Sequence, residues 1–296
     1  MVADSPPADI AVHGDLVAAL VRQQHPDLDG PLRLAAEGWD NELYRLGDSL
    51  AVRVPRRESA AALILSEQRW LPKLAPRLRV PVPVPVRRGM PSELYPWPWS
   101  IVPWFAGTPA ATLEPAERLG VAEDLADFVN ALAVPAPADA PANRYRGVPL
   151  AARADVVTAR LRNPRMPSPD RLAGLWERVC ALPAWRGPAL WLHGDLHPGN
   201  LLIAAHGGLA AVLDFGDLTA GDPAADLATA WLSFDAAGRA AFRGRIDEGR
   251  DVDAATWGRA RGWALVLGTA LVDTLEGDGP IARIGRHALE QVLLEE

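Results

Sequence analysis

Along the first hundred residues, apolar and polar positions alternate in short runs; beyond about residue 107 they recur at helical spacing. Glu42-Leu-Tyr-Arg-Leu46 and Ser49-Leu-Ala-Val-Arg-Val54 read as two strands, and Gly47-Asp48 between them reads as a hairpin turn. Leu32-Arg-Leu34 leads into the turn-rich Glu37-Gly-Trp-Asp-Asn41. Residues 59–74 place Ala62, Leu63, Leu65, Trp70 and Leu71 among Glu67, Gln68 and Arg69, which predicts a helix. Alternate prolines in Pro81-Val-Pro-Val-Pro-Val86 remove every second amide donor, so this stretch is an extended connection or sheet edge. A strand is expected at 97–102, ending at Pro103, and helices at 115–132, 149–162 and 170–182. The expected fold is α+β, with a small β-rich part at 1–103 and a larger, mainly helical part at 104–296.

Composition narrows the class without deciding it. Of 296 residues, 49% are hydrophobic and 23% charged, the balance of an ordinary globular chain. The net charge of −7 argues against nucleic acid or an anionic membrane as the main partner. The 12 acids and 12 bases of residues 1–103 cancel, so the whole negative excess falls on 104–296, which favours a cationic substrate there. One cysteine, Cys180, excludes an internal disulfide, and one lysine, Lys73, limits any chemistry that needs an ammonium group. The expected location is the cytoplasm. Met1-Val-Ala-Asp-Ser-Pro-Pro-Ala-Asp9 lacks the basic-then-apolar order of a signal peptide, and the apolar run 262–272 is too short for a bilayer.

The chemistry concentrates in Leu192-His-Gly-Asp-Leu-His-Pro-Gly-Asn-Leu-Leu-Ile203 and, fourteen residues past its asparagine, Val212-Leu-Asp-Phe-Gly216. Asp195 can accept a hydroxyl proton, while Asn200 and Asp214 offer the hard oxygen ligands that suit a magnesium ion holding nucleotide phosphates. Phosphoryl transfer asks for this set: a positioned hydroxyl, clamped phosphates and little covalent work by the protein.

His193-Gly-Asp-Leu-His-Pro-Gly-Asn200, Leu213-Asp-Phe-Gly216 and Gly221-Asp-Pro-Ala-Ala-Asp-Leu-Ala228 together resemble the signature of the aminoglycoside phosphotransferase family. That family has a two-lobed, protein-kinase-like fold and includes macrolide phosphotransferases and choline, homoserine and methylthioribose kinases. The resemblance runs from about Glu37 to Ala230 with the motifs in register. It implies Asp195 as catalytic base, Asn200 and Asp214 as Mg2+ ligands, and His193 and Asp226 as braces of the catalytic loop. His197 reads as a loop residue before proline.

The nucleotide side departs from the usual pattern. Where a kinase fold carries a lysine on its third strand, this chain has Arg53, with Glu67 as the expected helix partner; a similar arginine is familiar from macrolide phosphotransferases. The glycine-rich loop is reduced to Gly38, with Asp40 and Asn41 as turn formers. Ser100-Ile-Val-Pro-Trp-Phe-Ala-Gly107 resembles the interlobe hinge, so Val102, Pro103 and Phe105 are expected to hold the base of ATP or GTP.

Substrate residues are read from charge alone. Residues 143–150 fall where the family inserts a substrate-facing segment. Asp217, Asp273 and Glu276, with Asp278, either bind ammonium groups of a cationic acceptor or cap helices and face water. The reading is a nucleotide-dependent O-phosphotransferase acting on a small-molecule hydroxyl, with an aminoglycoside ahead of a macrolide or small metabolite. A nucleotide-binding pseudokinase is the non-enzyme alternative, motivated by the missing lysine and the sparse glycine loop. The complete Asp195, Asn200 and Asp214 set argues against it.

Overall fold

The computed structural model describes residues 7–275 and 277–295, and the chain divides into two compact units. One comprises Met1–Ala106 and Leu213–Gly216; the other comprises Gly107–Val212 and Asp217–Glu296.

The first unit is an antiparallel sheet between two helices. Its elements are α1 (Gly14–Gln24), β1 (Leu32–Glu37), β2 (Asn41–Leu46), β3 (Leu50–Pro55), α2 (Glu58–Leu74), β4 (Arg87–Gly89) and β5 (Trp99–Pro103), with strand order β1-β2-β3-β5-β4. The expected turn joins β2 to β3, and Gly47 takes φ +57°, a left-handed conformation that costs glycine little. Register then sorts the side chains by face. Tyr44, Val52 and Ile101 lie in one cross-strand row, and with Leu46, Val54 and Trp99 they pack on Val17, Leu20 and Val21 of α1. One residue on, Arg53 pairs with Leu43 and Ser100, and this row turns to the opposite face. There α2 buries Ile64, Glu67, Gln68 and Leu71. Gln68 fastens α2 to the sheet: its Nε2 donates to the Trp99 carbonyl at 2.8 Å and to Ser100 Oγ at 3.1 Å.

The proline-rich stretch 81–86 forms no strand, as expected of a segment short of donors. Its Val86 amide still reaches the Ile101 carbonyl at 2.8 Å.

The second unit is mainly helical. It comprises β6 (Thr108–Pro109), α3 (Ala122–Leu132), α4 (Ala154–Arg160), α5 (Pro169–Cys180), β7 (Leu190–Leu192), β8 (Leu201–Ile203), β9 (Leu209–Val212), β10 (Thr219–Gly221), α6 (Ala224–Leu227), α7 (Thr229–Ser233), α8 (Ala236–Gly249), α9 (Ala254–Thr274) and α10 (Pro280–Leu293). At the centre is α9, buried around much of its circumference and packed by α10, α6, α5 and α7. Two small sheets, β10-β7 and β6-β8-β9, frame the motif segment between β7 and β8.

Two expected helices are shorter than their patterns. Residues 115–121 form 3-10 turns before α3, opened by a Glu114/Glu117 capping box. Leu150–Arg153 is likewise 3-10, so α4 proper begins only at Ala154. None of the described helices is long and apolar enough to cross a membrane.

Candidate active site

In the first unit the sheet register delivers Arg53 against α2. Its Nη1 lies 2.5 Å from Glu67 Oε2, and its Nη2 lies 3.3 Å from Asp214 Oδ1. The Arg53 and Glu67 side chains are 10% and 0% exposed, whereas that of Asp214 is 57% exposed. Burial works against the guanidinium charge, but Glu67 and then Asp214 outweigh it and hold Arg53 protonated. Asp214 follows β9 in a left-handed conformation, φ +57°, which a short polar side chain tolerates and a branched one would not. Its Oδ1 also accepts the Gly216 amide at 3.3 Å.

The remaining nucleotide-side expectations fall in the same unit. Gly38 sits in the β1–β2 turn, its amide 2.8 Å from the Asn41 carbonyl, and Arg57 ion-pairs with Asp40 across that turn. Val102 is buried in β5, Pro103 pairs with Leu50, and Phe105 is half-buried. Lys73 lies in the last turn of α2 with its ammonium 4.3 Å from the centre of the Trp70 ring.

In the second unit the loop after β7 is held from beneath by Asp226 of α6. This carboxylate is 3% exposed and accepts the amides of His193 at 2.7 Å and Gly194 at 2.9 Å. Burial raises its pKa, opposed by His193 and by those two amides. Gly194 has φ +86°, and a Cβ there would lie 2.3 Å from the Asp217 carbonyl oxygen, so the loop turns where only glycine fits. His193, fully buried, accepts the Asp195 amide on Nδ1 at 3.2 Å. Both expected braces therefore contact the loop backbone.

The Asp195 carboxylate meets three side chains. Asn200 Nδ2 donates to the Asp195 carbonyl at 2.8 Å and to its Oδ2 at 3.3 Å. His197 accepts the Gly199 amide on Nδ1 at 3.0 Å, which leaves the ring proton on Nε2, 3.2 Å from Asp195 Oδ2. Arg146 Nη2 stands 3.2 Å from Asp195 Oδ1 and 3.5 Å from Asp217 Oδ2. Burial of Asp195 favours its neutral form, but His197, then Arg146 and His193, outweigh it and hold the carboxyl well below the usual range. Asp195 is therefore ionised at neutral pH.

The expected substrate acids do not converge. Asp217 accepts Asn143 Nδ2 at 2.6 Å as well as facing Arg146. Asp273, near the end of α9, accepts Asn163 Nδ2 at 2.8 Å and lies 3.9 Å from Arg160 Nε, so it ties α9 to the segment after α4. Asp278, 92% exposed, pairs with Arg286. Glu276 lies outside the described residues.

Two contacts on Asp195 were not expected from the sequence. Arg146 gave no spacing signal, because a loop arginine 49 residues upstream reaches Asp195 only through the fold. His197 did carry one: two residues past Asp195 and two before Gly199, it can cap the turn with one ring nitrogen and face Asp195 with the other.

The profile of the phosphotransferase enzyme family, APH, matches residues 31–263. No curated protein sequence matches the chain. Among solved structures, the GDP complex of wild-type aminoglycoside 2'-phosphotransferase-IIIa superposes with a TM-score of 0.71 at 19% identity, covering 94% of this chain and 98% of the other. The apoenzyme of macrolide 2'-phosphotransferase MphH from Brachybacterium faecium gives 0.64 at 24% identity, covering 93% and 98%. A streptomycin–ATP ternary complex of APH(2'')-IIa gives 0.59 at 17% identity, covering 87% and 90%. These likenesses establish a shared, kinase-like fold. With the profile spanning well over half of the sequence, the chain belongs to the phosphotransferase enzyme family and is an enzyme of the class that phosphorylates acceptor hydroxyls.

Proposed function

We propose that this enzyme transfers the terminal phosphate of ATP or GTP to a hydroxyl of a small molecule. The observation that carries the reading is the Asp195 carboxylate, kept ionised by His197 and Arg146 and tied to Asn200. The acceptor oxygen forms a bond to the terminal phosphorus as the bond to the bridging oxygen breaks. A nucleoside diphosphate leaves, and the hydroxyl proton passes to Asp195. Because the transition state is loose, the nucleophile is only slightly bonded and its proton moves late. A low-pKa carboxylate then serves chiefly to orient the hydroxyl through a hydrogen bond.

Asn200 and Asp214 are the residues proposed to hold magnesium. The Asn200 amide nitrogen is spent on Asp195, which leaves its oxygen as the end that can meet a cation. Among the described residues no group of three or more His, Cys, Asp or Glu could hold a metal ion. Magnesium, which keeps several waters and needs one or two protein oxygens besides phosphate, fits so sparse a donor set. When bound, it would offset charge developing on the transferring phosphate. Arg53, held by Glu67, is assigned to the phosphates, and the turn at Gly38 with Val102, Pro103 and Phe105 to the nucleotide. GDP and ATP in the complexes of two structural neighbours support a nucleotide co-substrate without choosing the base.

For the acceptor, the names of those neighbours, aminoglycoside and macrolide phosphotransferases, support a hydroxylated small molecule. The test is transfer from ATP and from GTP, with magnesium, to aminoglycosides, macrolides and small hydroxylated metabolites. Product detected by mass and lost by about 10²–10⁴-fold in Asp195→Asn is expected. Equal turnover in the variant would sink the assignment.

A further inference from the structure

The side chains around Arg146 carry more positive charge than their acids balance. Two guanidiniums approach the Tyr145 ring, Arg144 at 4.7 Å and Arg153 at 5.4 Å from its centre. Arg153 and Arg160 are seven residues apart along one helical run, which puts them on the same face two turns apart. Arg146 spends one nitrogen on Asp195 and Asp217, while its Nε is buried without a hydrogen-bond partner. Among the described residues Arg160 meets the distant Asp273, 3.9 Å away, and the Val266 carbonyl at 3.4 Å. Arg153 is half-buried, its Nε is buried and unbonded, and no carboxylate lies within ion-pair distance among the described residues.

These arginines also act on one another. Burial lowers the pKa of Arg153, and Arg146 lowers it further; Arg160 is lowered by burial and then by Arg153. Arginine does not escape such crowding by losing its proton near neutral pH. An anion relieves such crowding, and guanidinium forks are suited to hold one.

We propose that Arg153, with Arg146 and Arg160, forms an anion subsite, and that the phosphorylated hydroxyl belongs to a molecule carrying a carboxylate or a phosphate group. This rests on the phosphotransfer reading and deepens it. Arg146 links the two halves of the argument. It touches the Asp195 carboxylate and follows Tyr145, whose ring Arg153 covers, so an anion on the arginines brings a neighbouring hydroxyl toward Asp195. Arg146 would exchange part of its contact with Asp195 and Asp217 for the ligand's anion. A polycationic acceptor meets the opposite situation, since Asp217 and Asp273 are already engaged by Asn143, Arg146 and Asn163.

The experiment offers the enzyme, with magnesium and ATP or GTP, four acceptor sets: hydroxycarboxylic acids, sugar phosphates, macrolides and aminoglycosides. Acceptor-independent nucleotide hydrolysis is followed in parallel, with Asp195→Asn as its control. Transfer confined to one of the two anionic sets is expected, and the set that works tells carboxylate from phosphate. Arg153→Gln then raises the acceptor KM tenfold or more, with the smaller effect on kcat, and Arg153→Lys recovers part of the loss. Transfer to an aminoglycoside or macrolide as efficient as to any anion overturns the subsite and leaves phosphotransfer standing. So does an anionic acceptor whose KM is indifferent to Arg153→Gln. No product from any set, with Asp195-dependent hydrolysis intact, also counts against the subsite. Absence of all nucleotide turnover removes the phosphotransfer reading and the subsite with it.

Discussion

In each unit an arginine beside the motif residues bridges two carboxylates, and the two bridges are built differently. Arg53 sits on a central strand and meets Glu67 at 2.5 Å, with the glutamate fully buried and its helix pinned by Gln68. Arg146 sits on an irregular segment and meets Asp195 and Asp217 at 3.2 and 3.5 Å, both carboxylates being about one-third exposed. The first has a dedicated buried partner and no solvent to replace it. The second shares its charge between partly wet carboxylates, an arrangement that a ligand can displace. Burial and backbone regularity thus separate a fixed cation from an exchangeable one, although both read as arginine near aspartate.

The contrast is broken most severely by Glu67→Ala. Removing the partner leaves a buried guanidinium uncompensated, and a loss of about 3–5 kcal/mol is expected in denaturant unfolding. A loss below about 1 kcal/mol would mean that Arg53 is not held as described. Next in size is Gly194→Ala, which forces a side chain into a left-handed conformation and against the Asp217 carbonyl. At least about 1–2 kcal/mol of destabilisation should follow, with falling kcat as the Asp195 loop shifts. An unchanged kcat would show that the loop tolerates the shift.

His197→Gln sharpens the comparison on the exchangeable side. It removes a principal influence holding Asp195 acidic, and a drop in kcat of up to about tenfold is expected for one lost hydrogen bond. The sign of the pH effect is fixed. A carboxyl depressed in the folded state contributes stability above its unfolded value, about 3.9, and that contribution is lost as pH falls through the lower folded value. Raising the Asp195 pKa in the variant should therefore move acid unfolding and the acidic limb of the rate profile to higher pH. An acidic limb that moves downward would exclude this role. The smallest effect is expected from Arg146→Gln, where solvent screening leaves under about 1 kcal/mol of stability at stake. A loss as large as that of Glu67→Ala would erase the distinction between the two bridges.

Local signals account for much of what was legible in advance. The Gly47-Asp48 hairpin, the β2 and β3 strands and the helix over 59–74 follow from alternation, turn chemistry and helical spacing, each decided within a few residues. The Arg53 and Glu67 contact was also within reach, because a strand followed directly by a helix packs the two against each other. Helix starts were less legible. The 3-10 turns at 115–121 and Leu150–Arg153 carry the same apolar spacing as an α-helix, and capping and packing decide between them.

Substrate charge is read differently at the two levels. Net charge summed over residues 104–296 is acidic, and it pointed to a cationic acceptor. The structure places Arg146, Arg153 and Arg160 within each other's influence and pairs Asp217 and Asp273 with their own partners. An electrostatic field at a few ångströms depends on neighbours, which a sum over sequence discards.

By itself, the sequence determined the family, the order of the motifs and the residue types able to run phosphoryl transfer, because these are carried by short spacings that backbone geometry converts directly into turns and strands. The resemblance already implied Asp226 as a brace of the loop; only the tertiary structure decided which amides it holds, that Arg146 reaches Asp195, and that arginines gather beside it. The Arg146 and Asp226 contacts join residues 49 and 33 positions apart and exist only once separate helices and loops are packed together.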